Sequence, residues 1–104
     1  MTEKLVQLVV DAPRELEEHL VGILLQHDEA AAIGFTTREI NAFGSHVLFR
    51  KIAEQIRGRV HRVEFKVLLP IREASNLVDH LRQAVSGRGV SFHLTPVLEA
   101  GNLE

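Results

Sequence analysis

The clearest periodicity lies after the middle of the chain, where Val63, Phe65, Val67 and Leu69 alternate with Arg62, Glu64 and Lys66. A period of two places the apolar set on one face of a strand and the charges on the other. Pro70 ends the run, and Ala74, Leu77, Val78, Leu81, Ala84 and Val85 then follow helical spacing with one buried stripe. Gly87 and Gly89 supply the stop. Val90, Phe92 and Leu94, alternating with Ser91, His93 and Thr95, predict a last strand. The first half repeats the scheme. Leu5 to Val10 is a short apolar run containing Gln7, halted by Asp11, Ala12 and Pro13. Leu16, Leu20, Ile23 and Leu24 recur at helical spacing behind Pro13, with Glu15, Glu17 and Glu18 near the positive end of the helix dipole. This helix is predicted to end near His27 and Asp28, where a charged imidazole would meet the negative end of the dipole, and "AAIGFTTREI" then reads as extended.

The order is strand, helix, strand, long loop, strand, helix, strand. It predicts an α+β, ferredoxin-like βαββαβ domain spanning residues 1–104, with a four-stranded antiparallel sheet and two helices on one face. The other face would carry Leu5, Val9, Arg62, Glu64, Lys66, Ser91, His93 and Thr95. That mixture suits a solvated surface or a subunit interface. The connection from Ser45 to Val60 far exceeds the usual two to five residues of a hairpin loop. It interleaves Val47, Leu48, Phe49, Ile52, Ala53 and Ile56 with Arg50, Lys51, Arg57 and Arg59. Apolar anchors among cations suit a segment that orders against a partner, and a short helix packed on its own subunit is the plainer alternative.

Composition narrows the setting. A formal net charge of −2 gives no electrostatic reason to expect nucleic acid or an anionic membrane as partner. There are no cysteines, so disulfide and thiolate chemistry are excluded. "MTEKLVQLVV" is too soon interrupted to read as a signal peptide, and no apolar run approaches spanning length. A cytoplasmic protein without direct membrane insertion is expected.

Six histidines invite a metal hypothesis, yet no two stand four apart on a helix. His46 and His61 flank the long connection and form the candidate divalent-metal pair, with Glu54 or Glu64 as a third ligand. No Gly-x-Ser-x-Gly elbow surrounds Ser45, and the paired acids Glu17 and Glu18 need only favour a helix dipole, so a non-enzymatic protein is expected.

"EINAFG" is similar to the Glu-Val-Lys-Gly-Phe-Gly with which PII-like signalling proteins enter their long T-loop, and "RGRVHRVEFKVLLP" resembles the return from it. Across its full length, through "EEHLVGILLQH", "GFTT", "RVEFKVLLP" and "PVLEAG", the chain resembles a compact PII-like family of uncharacterised proteins whose genes often accompany heavy-metal efflux pumps. The resemblance implies a homotrimer whose polar sheet faces meet. It also implies an adenine-nucleotide site between subunits, to which Phe43, Gly44, Gly87, Arg88 and Gly89 map. Ala42 replaces the first glycine of the family turn, the phosphate loop is reduced to "SGRGV" without its lysine, and no tyrosine exists to be modified. The segment from Ser45 to Arg59 becomes the output element, with Val47, Phe49, Arg50, Lys51, Ile52, Ile56, Arg57 and Arg59 meeting a membrane transporter, a heavy-metal efflux pump of the resistance-nodulation-division class. A CutA-like divalent-metal binder and a small-substrate ferredoxin-like enzyme are the alternatives.

Overall fold

The structure, a computed structural model, describes residues 4–43 and 60–104. Strand β1 (Leu5–Pro13) leads through a 3₁₀ turn (Arg14–Leu16) into helices α1 (Glu17–Gln26) and α2 (Asp28–Ile33). Then follow β2 (Phe35–Ala42), β3 (Val60–Pro70), α3 (Ile71–Val85) and β4 (Ser91–Val97). The strands form one antiparallel sheet in the order β2-β3-β1-β4. The fold is thus the α+β, ferredoxin-like arrangement that the alternation predicts.

Register explains where the core sits. Leu8 lies opposite Val67 and Leu94, and Val10 opposite Phe65 and Phe92, so one face of the central strands is apolar throughout. Onto it pack Leu16, Leu20, Ile23, Leu24 and Ala30 from the first helical segment and Ala74, Leu77, Val78, Leu81 and Val85 from α3. Phe65, only 1% exposed, sits at the centre and meets Phe35 of β2 in a tilted ring contact with centroids 6.4 Å apart. The opposite face carries Gln7, Val9, Asp11, Arg62, Glu64, Lys66, His93 and Thr95, by the same register. Val9 is only 5% exposed there, outside the main core.

Two local expectations are corrected. Residues 31–33 are helical rather than extended, because α2 restarts after a break at His27 and runs to Ile33, with Gly34 as its C-cap. Gly34 has φ +93°, a conformation that disfavours any side chain. Phe92, expected among the buried alternation of the last strand, is 46% exposed, since β4 is an edge strand that α3 only partly covers.

His27 itself has a different role from the one its position suggested. It adopts extended φ/ψ of −85° and 116°, which breaks the helix, and its Nδ1 accepts the Ala30 N–H at 3.2 Å. The ring therefore caps the N-terminus of α2 instead of charging the C-terminus of α1. An accepting Nδ1 leaves the proton on Nε2, which lies 3.6 Å from Glu73 on α3. His27→Ala is expected to cost about 1 kcal/mol in urea unfolding, and His27→Asn to restore most of it, since asparagine caps equally well. Equal losses in both variants would exclude the capping role.

Candidate ligand site at the loop end of the sheet

The antiparallel order brings four strand ends together: β1 and β2 finish, and β3 and β4 begin, at the same end of the sheet. Asp11 of β1 lies opposite Glu64 of β3 and Ser91 of β4, and Arg62 lies opposite Pro13 and Ile40. Opposite charges on one face, a rung apart, can reach each other. Arg62 Nε donates to Asp11 Oδ1, and Nη2 donates to the Asp11 carbonyl at 3.2 Å and to the Gly89 carbonyl at 2.7 Å. The Arg62 side chain is 13% exposed, so these bonds are partly shielded from water. One guanidinium fork thereby ties β3, β1 and the turn before β4.

That turn is the "SGRG" element. Gly87 and Gly89 have φ of +77° and +78°, which explains the two glycines. The Arg88 N–H donates to the Val85 carbonyl at 3.2 Å, closing the end of α3. This amide is thus engaged within the chain, and an anion nest here has one fewer donor than the sequence suggests.

Phe43 follows Ala42, the last residue of β2, and is 61% exposed. It stands at the same end of the sheet as the glycine turn but on the opposite edge. Two strands intervene, and three interstrand spacings amount to roughly 14 Å. Within one chain Phe43 and Gly87, Arg88 and Gly89 do not meet.

His61, exposed near the start of β3, lines a cavity of about 240 Å³ with Arg14, Glu39 and Asn41. Arg14 and Glu39 pair across its rim at 2.7 Å. Glu64 cannot serve His61 as a ligand within the chain, because residues three apart in a strand point to opposite faces. It is instead held by Arg38 at 3.1 Å and Lys66 at 3.6 Å. Among the described residues no three histidine, aspartate or glutamate side chains gather as a metal site. Gly44, His46, Val47, Phe49, Arg50, Lys51, Ile52, Ile56, Arg57 and Arg59 lie outside the described residues. Among the described residues no helix is long and apolar enough to cross a membrane.

Sequence reading placed Arg62 on the open sheet face, where the register keeps it, and Asp11 merely at a strand stop. Their pairing was findable only once β1 and β3 were taken as neighbours in this register.

Comparison with solved structures places this geometry. A DUF3240 protein from Shewanella baltica OS155 superposes with a TM-score of 0.74 at 17% identity, with all of both chains covered. CPII, a nitrogen regulatory PII-like protein from Thiomonas intermedia K12 solved with ADP, AMP and bicarbonate, superposes with a TM-score of 0.68 at 14% identity, covering 96% of this chain and 97% of that one. At such identities the likeness establishes the fold, which is that of PII-like proteins. No curated protein sequence matches the chain. Over residues 1–104 the sequence matches the model of DUF3240, described as a protein of unknown function, and the chain belongs to that family.

Proposed function

We propose that this protein is a trimeric, non-enzymatic PII-like regulator that binds an adenine nucleotide between subunits and acts on a membrane transporter. The carrying observation is the placement of Phe43 and the Gly87–Gly89 turn at one end of the sheet but on opposite edges. In a closed ring, the β2 edge of one subunit approaches the β4 edge of the next. Phe43 of one copy then borders Gly87, Arg88 and Gly89 of another. The open sheet face, with Val9 already shielded among paired charges, turns toward the ring centre. The ADP and AMP bound by CPII, which has the same fold, support the ligand class.

β2 ends and β3 begins beside this cleft, and in sequence Ser45 to Arg59 join them. Ligand in the cleft would bias the segment through unequal affinity for its states. Its alternating apolar and basic residues suit an acidic, apolar surface, which we assign to a heavy-metal efflux pump.

One set of measurements tests these claims. Light scattering should give three times the 11.7 kDa chain mass at micromolar concentration. ATP, ADP or AMP at millimolar concentration should raise the melting temperature, since a ligand at about 100 times its Kd adds about 2.7 kcal/mol. A variant lacking residues 47–56 should keep the trimer and lose capture of the pump from membrane extract. A monomer would remove the whole reading. An intact trimer unmoved by every nucleotide would remove the ligand, and unchanged capture would remove the transporter.

A further inference from the structure

A second cavity adjoins the glycine turn on the helix side of the sheet, between α3 and β4, with Ser86 and Gly87 in its lining. It encloses about 200 Å³ over a floor of Val10, Val78, Leu81 and Val85, with Arg82 and Phe92 among its lining. Cavities of about 150 Å³ with such walls accept a benzene ring, so a leucine side chain fits. Arg82 lies 3.3 Å from Asp79 and its side chain is 63% exposed. One exposed carboxylate does not exhaust the five donors of a guanidinium. The lining therefore asks for a branched apolar group followed closely by an acid.

The chain carries that pairing twice beyond β4, as Leu98-Glu99 and Leu103-Glu104. The first pair lines a groove on its own chain with Lys4, Leu5 and Ile71. Leu103 of the second pair is fully exposed. The cavity opens beside Phe92 at the start of β4, whereas the tail departs from Val97 at its end. Those points are roughly 17 Å apart along the strand. Residues 98–104 contain no helix or strand that turns the tail back toward its own cavity.

We propose that this cavity receives Leu103 and Glu104 from a second copy of the chain, with the leucine on the valine floor and the carboxylate on Arg82. Donor and acceptor lie at different ends of β4, so the contact is heterologous. Three copies each giving one tail and receiving one close a ring without unfilled sites. The half-exposed Phe92 becomes the lip that the incoming tail covers. The assignment rests on the trimer proposed above and adds to it a contact that the sheet faces do not supply.

The absence of cysteine permits a clean test. Ser86, which lines the cavity, and Asn102, next to Leu103, are both exposed. In the Ser86→Cys/Asn102→Cys double variant, mild oxidation should give a covalent ladder up to trimer on a non-reducing gel. Peptide mapping should place the bond between positions 86 and 102. Adding Leu103→Asp should cut its yield about tenfold or more, the factor expected for losing a buried leucine. A bond closed within a single chain, a bond joining position 102 to itself, or no bond would overturn the proposal. Wild-type light scattering separates the two readings. A trimer without the cross-link removes the tail contact alone, and a monomer removes both.

Discussion

Replacing Phe65 with alanine is expected to lower the unfolding free energy by about 3–5 kcal/mol, a large part of the 5–15 kcal/mol typical of a small domain. Phe65 is among the largest fully buried side chains, and it sits on β3 between Val10 of β1 and Thr37 of β2. Truncation opens a cavity at the centre of the sheet, where the register with both neighbours keeps the strands from collapsing inward. Phe35, half-buried at the edge, loses its ring partner as well. Phe65→Leu, which keeps most of the volume, should cost less than about 1.5 kcal/mol. Urea unfolding with an unchanged m-value checks both, and an alanine cost below about 1 kcal/mol would contradict this account of the core.

Arg62→Met should cost about 2–3 kcal/mol, because the apolar stem is kept while a guanidinium that makes three hydrogen bonds is lost. The Asp11 side chain is 34% exposed and regains water, which keeps the loss below that of a fully buried charge. Such a loss lowers the melting temperature by roughly 10 °C. Arg62→Lys should not rescue it, since one ammonium cannot hold the Asp11 carboxylate and the Gly89 carbonyl in a planar fork. A double-mutant cycle with Asp11→Ala isolates the pair, and a coupling energy near zero would show that the clamp is not what stabilises this end of the sheet.

Legibility followed how strongly one interaction dominated each segment. The alternation of Val63, Phe65, Val67 and Leu69 and the stripe from Ala74 to Val85 were plain, because burial on one face dictates period. Helix α2 was hidden: "DEAAAI" has too little apolar contrast to show a period, and its start depends on His27 serving as a cap. The exposure of Phe92 depends on β4 lying at an edge, a property of strand order that no local pattern records. At the candidate site, Phe43, Gly87 and Gly89 were readable as types, and the structure adds that they lie on opposite edges. Arg62 was legible as a residue of the open face, but its clamp was not, since its partners stand 51 and 27 residues away in sequence.

The strand order also governs how the chain can fold as it is synthesised. β1 and β2 are not neighbours; each pairs with β3, and β1 also with β4. A nascent chain that has emerged only through Phe43 therefore holds two strands, none of whose sheet hydrogen bonds can yet form. At about 5–20 residues per second, the ribosome keeps the first half waiting for a second or more until β3 appears. Its arrival pairs two strands at once and β4 then closes the free edge of β1, so sheet formation is late and rests on contacts distant in sequence.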